Sequence, residues 1–483
     1  MTDLTPHKPQ TRLMLWSDTI LDMQEKILTL NLDVPVYIIG GAVRDSFLHF
    51  PVKDIDLATP RDSIKVARKI ANAFDGDIFI MDEERGVARV LVDTDDGLLT
   101  IDVAAYRGDD LRADIVGRDF TVNAMAVDLL GDLQLLIDPL NGEDDATKKV
   151  IRRCSPQSIA DDPIRALRAV RQSTHMKFRI EPETIKDIRQ YGVHIMETSP
   201  ERVRDEFFKI LGLKRAPIAI KVLHQLGFLQ QIVPEIQSLD GKELPEPHVF
   251  DGWKNAVETV ENIVGIMDTI NYRRSDSTAA SFAYGMVAMQ LDRFRKDLNE
   301  RLAITYPEGR SHSALLVLAA LIHGVDHPIE AASQIADDLR LSNPEKKRLI
   351  RMIANYHITQ QVNYDVPLEA HRFWYPIGDS GIDAVLLGLA DYLAIYGNEL
   401  KQDDWLVQVE RALMLLFNYY IQHDTVVAPT PLINGNDLMK HFDLEGGRVI
   451  GDVLTILREA QVTGEITSSD EALRRAEQYL AQQ

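Results

Sequence analysis

Asp54 and Asp56, two carboxylates separated by one residue, follow the paired glycines Gly40-Gly41 and the cation Arg44. Strand side chains alternate between faces, so acids at i and i+2 project together and repel unless a cation sits between them. That is a donor set for a divalent metal ion. The glycines add a place for phosphate, because a backbone without Cβ atoms lets an anion approach, and a helix starting near Ala42 would aim free N–H groups at a triphosphate. Together these residue types could carry out metal-assisted nucleotidyl transfer. An isolated Asp-x-Asp reads as ordinary surface acids at a strand end; the glycine turn just upstream reverses that reading.

These groups need elements to position them. Val36-Tyr37-Ile38-Ile39 is a short β-branched run that predicts a buried strand ending at the glycines. After Pro51, residues 54–57 predict a second strand with Ile55 and Leu57 in the core. A two-metal site calls for a third acid on a neighbouring strand, and residues 100–107 supply Asp102, opposite in face to Ile101 and Val103. There Asp102 could activate the attacking hydroxyl or share the metals. Farther on, Asp119 and Asn123 are four apart and on a helix would share a face, able to hold ribose or triphosphate while Phe120 and Met125 anchor the other side. Arg118 could add a phosphate contact; the alternative is an N-capping Asp119 and a packing Asn123. Asp162 precedes Pro163, with Arg165 three residues on. A carboxylate accepts from the amino groups of cytosine or adenine and a guanidinium donates to ring nitrogen or carbonyl oxygen, so this pair could read base edges, although Asp162 could equally be an N-cap.

The motifs resemble those of the class II tRNA nucleotidyltransferase (CCA-adding enzyme) and bacterial poly(A) polymerase family. Residues 118–126, RDFTVNAMA, are close to the family's second signature; residues 161–171 resemble its base-reading segment, and residues 199–206 the neck helix after it. The segments 431–439 and 458–466 resemble the C-terminal part of long bacterial members, so the resemblance covers nearly the whole chain. It implies an α+β fold: a polymerase-β-like nucleotidyltransferase head, then a helical neck, a helical body and a helical tail. It further implies Asp54, Asp56 and Asp102 as catalytic residues and ligands of two Mg²⁺ ions, and Gly40, Gly41, Arg44, Asp45, Arg118, Asp119 and Asn123 as triphosphate and ribose contacts. Asp162 and Arg165 match the base-reading pair, although Asp161 stands where the family has glutamate.

Charge qualifies this reading. The chain carries 53 Lys and Arg against 74 Asp and Glu, a net −21, which by itself argues against nucleic acid. Between residues 148 and 221, however, 17 basic residues face 9 acidic ones. Arg168, Arg171, Arg202 and Arg204 lie in this stretch and are candidate RNA phosphate contacts, the alternative being a solvated helical face. No aromatic ladder accompanies them, so a structured RNA such as tRNA fits better than an extended single strand. The single Cys154 excludes an internal disulfide framework, and without an 18-residue apolar run or a secretory leader a soluble, cytoplasmic protein with no membrane partner is expected.

Breaks near residues 138–142, 234–247 and 428–431 suggest a head over 1–150, a base-reading and RNA-binding neck over 151–235, a body over 236–425 and a tail over 426–483. The body resembles a His-Asp phosphohydrolase domain but has Asn255 and Gly324 where that domain has histidine and aspartate. That leaves His323 without its metal-ligand partners and the body a scaffold. Only residues 108–117 separate Tyr106-Arg107 from Arg118, a shorter loop than CCA-adding members commonly have and similar to that of enzymes adding only two cytidines. The expected activity is template-independent addition of CMP, AMP or both, from CTP and ATP, to the 3′ end of tRNA or another RNA, with pyrophosphate released. The alternatives are a poly(A) polymerase and a catalytically silent RNA-binding or scaffold protein.

Overall fold

The computed structural model describes residues 4–52, 54–94, 97–272, 281–307 and 309–481. The chain divides into two compact units, Met1–Glu206 and Phe207–Gln483, so the expected border near residue 150 falls inside the first.

The first unit is built on a seven-stranded mixed sheet. Its strands are β1 (Tyr37–Ile39), β2 (Asp54–Thr59), β3 (Asp77–Asp82), β4 (Val87–Thr94), β5 (Gly97–Ala105), β6 (Ala126–Asp128) and β7 (Leu136–Ile137), in the order β3-β4-β5-β2-β1-β6-β7. Only β2 and β5 run parallel; the remaining neighbours are antiparallel. Four helices attend the sheet: α1 (Asp18–Leu28), α2 (Gly41–Leu48), α3 (Ser63–Phe74) and α4 (Leu111–Val116). Alternation decides which face each strand buries. Ile55, Leu57, Val90, Ile101 and Val103 are fully or almost fully buried on one side, and α3 packs on β3, β4 and β5 through its amphipathic stripe of Val66, Ala67, Ile70 and Ala71. The opposite face divides in two. Over Ile39, Ala58, Ala126 and Ile137 it is covered by Leu111 and Ile115 of α4, whereas over Asp54 and Asp56 of β2 and over β5, β4 and β3 it stays open.

Residues 108–117, expected as a short loop, therefore contain a helix. Asp110 caps it by accepting from the Ala113 N–H at 2.7 Å, and its apolar side belongs to the core. Beyond β7 come α5 (Gly142–Lys148), α6 (Ser158–Asp161) and α7 (Ile164–Met176), with β8 (Val150–Ile151) and β9 (Arg179–Ile180) forming a separate two-stranded parallel sheet. Helix α7 buries Ala166, Leu167, Ala169 and Val170 and carries Arg165, Arg168 and Arg171 at three-residue spacing on a neighbouring face.

The second unit is helical. Its central helix, Ser380–Tyr396, is buried along most of its length, so its apolar composition is that of a core helix. Beneath it, Arg301 and Arg348 each donate to both Asp379 and Asp383. The last three helices, Gly435–Phe442, Arg448–Val462 and Ser469–Leu480, share a core of Leu438, Ile450, Val453, Leu457, Ala472 and Ala476.

His323, which lacks the metal-ligand partners of the phosphohydrolase pattern, is hydrogen-bonded instead: burial alone would lower its pKa, but Nε2 bonds the Asp391 carboxylate at 3.0 Å and Nδ1 the Ala320 carbonyl at 2.8 Å, which together raise it. Acceptors on both nitrogens favour the protonated ring. Asn255 is buried in the helix Gly252–Ile270, and a Cβ at Gly324 would touch only Leu239, 3.7 Å away.

Candidate active site

The site lies on the open sheet face of the first unit. Asp54 and Asp56 occupy alternate positions of β2 and both are exposed, while Ile55 and Leu57 between and after them are buried. Parallel pairing sets Asp56 beside Asp102 of β5, so three carboxylates come from two adjacent strands. Desolvation raises the Asp56 carboxyl above its ordinary range, and Asp102 and Asp54 add to the rise; Arg118 and Arg107 oppose it.

The glycine turn closes the lower edge. Gly40 has φ +77°, a conformation that favours glycine, and an added Cβ would stand 2.9 Å from Arg118 Nη1 and 3.3 Å from Asp56 Oδ2. Only a residue without a side chain fits there. Helix α2 begins at Gly41, and its first-turn N–H groups lack intrahelical acceptors. Arg118 is steered over the turn by Asp114 of α4, whose Oδ2 accepts from its Nε and Nη2 at 3.2 and 3.0 Å. Burial and the nearby Arg118 lower the pKa of Arg107, so guanidinium groups are crowded together where an anion would relieve them.

The structure places Asp119 and Asn123 otherwise than expected. Asp119 lies in a bend before the extended Phe120, Asn123 ends a single 3-10 turn, Thr121–Asn123, and both are buried. Asn123 donates to Asp119 Oδ1 at 2.9 Å, as does the Phe120 N–H at 2.8 Å, while Arg168 Nε donates to Oδ2 at 2.8 Å. Burial would raise the Asp119 carboxyl, but Arg168 and these hydrogen bonds outweigh it and bring it to about 2. Asn123 Oδ1 accepts from Arg44 Nη1 at 2.5 Å, and Arg44 also forks onto Asp45 at 2.8 and 3.0 Å. A continuous chain thus runs from Asp45 through Arg44, Asn123 and Asp119 to Arg168, holding the turn to α7.

Asp162 lies between α6 and α7, and Pro163 precedes the helix proper. Its carboxylate accepts from Arg202 at 2.7 Å and stands 3.9 Å from Arg165 Nε. The Arg165 Nη groups donate to the carbonyls of Gly117, Arg118 and Ser158, which fixes the guanidinium against the chain that leads to Arg118. The basic stretch is largely neutralised internally. Arg168 and Arg171 reach Glu206, Arg152 bonds Asp145 and Glu181, Arg153 bonds Asp187, and Arg204 is buried against Asp205. Of the four arginines expected on RNA phosphates, Arg202 alone is more than half exposed along its side chain.

Sequence reasoning missed Arg89. From β4 its Nε and Nη2 donate to Asp102 Oδ1 and Oδ2, each at 2.8 Å. Nothing short of strand register would have paired them. Asp114 was missed as well, although its i,i+4 spacing to Arg118 was a readable signal. Among the described residues, no three His, Cys, Asp or Glu side chains converge as a preformed metal cage, consistent with both Asp102 oxygens being engaged by Arg89.

A mixed sheet with two acids on one strand, a third in register on its parallel neighbour and a glycine turn at their edge, followed by helices, is a polymerase-β-like nucleotidyltransferase architecture. Three family profiles match: "Poly A polymerase head domain" over residues 36–152, "Probable RNA and SrmB- binding site of polymerase A" over 177–239, and "tRNA nucleotidyltransferase domain 2" over 311–476. The chain is 30% identical to the A-adding tRNA nucleotidyltransferase of Deinococcus radiodurans over 90% of its own length and 93% of the relative's. It is 28% identical to the CC-adding tRNA nucleotidyltransferase of Geobacter sulfurreducens, over 92% and 91% respectively. Among solved structures it has the fold of a CCA-adding enzyme in complex with ATP, with TM-score 0.62 and 22% identity over 96% of each chain. The chain belongs to the tRNA nucleotidyltransferase and poly(A) polymerase family and is a nucleotidyltransferase.

Proposed function

We propose that the chain adds nucleotides to the 3′ end of tRNA without a template, transferring CMP from CTP and releasing pyrophosphate, and that it carries out the CC-adding part of CCA synthesis. The observation that carries the transfer reading is the in-register placement of Asp56 and Asp102 on parallel β2 and β5, with Asp54 on the same face. In this reading Asp54, Asp56 and Asp102 hold two Mg²⁺ ions. Carboxylate oxygens are the hard donors that Mg²⁺ takes, and the elevated Asp56 carboxyl marks a place where a cation relieves repulsion. Bound there, the ions would activate the RNA 3′-hydroxyl and neutralise charge on the transferred phosphoryl group. Gly40 and Gly41 let the triphosphate approach the start of α2, and Arg118 and Arg107 supply donors beside it. Arg44, Asp45, Asp119 and Asn123 act by tying that turn to α7. Asp162 and Arg165 read the base, with Arg202 holding the Asp162 carboxylate, and residues 151–235 and 236–483 serve as RNA-binding neck and helical scaffold.

The restriction to part of the CCA sequence is supported by α4. Its segment is short, capped at Asp110 and anchored in the core by Leu111 and Ile115, which leaves little chain to rearrange between bases. Full-length relatives named CC-adding and A-adding point the same way. The test offers CTP and ATP, separately and together, to tRNA ending before C, after CC and after CCA, and to an unstructured RNA. Two cytidines and no adenosine are expected. A single adenosine on tRNA ending in CC would assign A addition instead, and a long adenosine tract on generic RNA would assign poly(A) synthesis; no incorporation at all would reject the transfer reading.

A further inference from the structure

Strand register sets four side chains in one row across the open face: Asp56 on β2, Asp102 on β5, Arg89 on β4 and Phe79 on β3. Directly opposed residues of neighbouring strands project to the same face, so the row leads outward from the carboxylates to an aromatic ring. Phe79 is 50% exposed, Ile80 and Met81 beside it on this edge strand are exposed too, and Phe79 is the aromatic among them on the face of the carboxylates. It lies two strand spacings, about 10 Å, from Asp102, which is the reach of a nucleotide or two. Between them, Arg89 spends Nε and Nη2 on Asp102 and keeps Nη1 without a partner among the described residues, on a side chain 42% exposed. The row therefore presents an acid for the reacting end, a cationic donor beside it and a ring beyond.

We infer that this row seats the last nucleotides of the RNA acceptor. Arg89 Nη1 donates to a phosphodiester oxygen just upstream of the reacting 3′-hydroxyl, and Phe79 stacks on a base one step farther along. The occupant is RNA because the row continues in register from the transfer site and because the free guanidinium edge complements a phosphodiester. Fork geometry lets Arg89 do both tasks, since a guanidinium can bind a carboxylate with two nitrogens and still offer a third. Arg89 is thus also a positioning residue for Asp102. The inference rests on the proposed assignment of Asp54, Asp56 and Asp102 as the transfer site.

Steady-state incorporation of CTP, with tRNA lacking its 3′ CCA varied at saturating CTP and then CTP varied at saturating tRNA, tests it on the full-length protein. Phe79→Ala is expected to raise KM for tRNA about tenfold while leaving KM for CTP and kcat near wild type, and Phe79→Trp to restore KM, because stacking tolerates any aromatic face. Arg89→Lys keeps the charge but loses the fork, so it should raise KM for tRNA, lower kcat and weaken Mn²⁺ binding measured by electron paramagnetic resonance without RNA present. Unchanged KM for tRNA in Phe79→Ala, with wild-type protein active, would overturn the seat and leave the transfer reading standing. The same unchanged KM together with a shift from dimer to monomer in sedimentation would assign the Phe79 patch to a protein interface. Inactive wild-type protein would reject the transfer reading itself.

Discussion

Desolvation by the protein behind it raises the Asp56 carboxyl, and the fields of Asp102 and Asp54 add to the rise. Neither Asp54 nor Asp56 makes a structural hydrogen bond among those found for described residues, and both are exposed. Contrast Asp119, an acid of the same type 63 positions beyond Asp56 in the chain, which is buried and saturated by Arg168, Asn123 and the Phe120 N–H. Burial with full hydrogen bonding marks a residue that holds the fold; exposure beside like charge marks one kept for a ligand. Asp54→Ala and Asp56→Ala are therefore expected to lower CTP incorporation by at least about 10²–10³-fold while leaving the thermal midpoint within a degree or two. Single-turnover incorporation and thermal melting of the same preparations check this, and near-wild-type turnover in either variant would remove that residue from the site. These two acids were legible in the sequence because strand alternation is strict. The burial of Asp119 and Asn123 was not, because a four-residue spacing looks alike on an α-helix and across a bend followed by a 3-10 turn.

At the scale of elements, the sequence carried the strand that ends at Gly40, the strand bearing Asp54 and Asp56, and the strand bearing Asp102, since each combines a β-branched run with punctuation by glycine or proline. It did not carry which strands are neighbours. The pairing of β4 with β5 brings Arg89 to Asp102, and that contact depends on register between segments whose individual patterns contain no trace of it. The same limit applies to His323. Its sequence neighbours show only that a metal-ligand set is broken, and its hydrogen-bond partner, Asp391, comes from a helix 68 residues away. This pair ties the helices His312–Ile322 and Ser380–Tyr396 together, and its sign with pH is definite. Because the folded pKa of His323 is raised above its unfolded value near 6.5, the pair's stabilisation is fully present below that value and is lost as pH rises through the folded pKa. His323→Gln should therefore destabilise the protein more at pH 6 than at pH 9, measured as the urea midpoint relative to wild type at each pH. A deficit that is constant or grows toward pH 9 would mean that the ring is neutral in the folded protein.

On the proposed function, a whole molecule of net charge −21 has to engage a polyanion. The excess of basic residues over 148–221 suggested a broad phosphate footprint, but seven of its ten arginines pair internally, with Asp119, Asp145, Asp162, Glu181, Asp187, Asp205 and Glu206. Composition counts charges without saying which already have partners. Within residues 148–206, Lys149, Lys177, Arg179 and Arg189 are the described cations that are exposed and make no ion pair, and the first three meet where β8 pairs with β9, the Arg179 N–H donating to the Lys149 carbonyl at 2.9 Å. Each phosphate neutralised by a protein cation contributes a slope of about −0.7 to −0.9 to the dependence of log affinity on log salt. With about four such cations and Arg202, tRNA binding should show a shallow slope, no steeper than about −4. The triple substitution Lys149→Gln, Lys177→Gln, Arg179→Gln should flatten it by about 2 while leaving KM for CTP unchanged, whereas Arg171→Gln, which breaks the tie to Glu206, should lower stability with little effect on the slope. Filter binding of tRNA between 50 and about 300 mM salt measures both. A slope near −8 that survives the triple substitution would mean that the paired arginines leave their carboxylates for RNA, and that the internal ties are a state of the free protein alone.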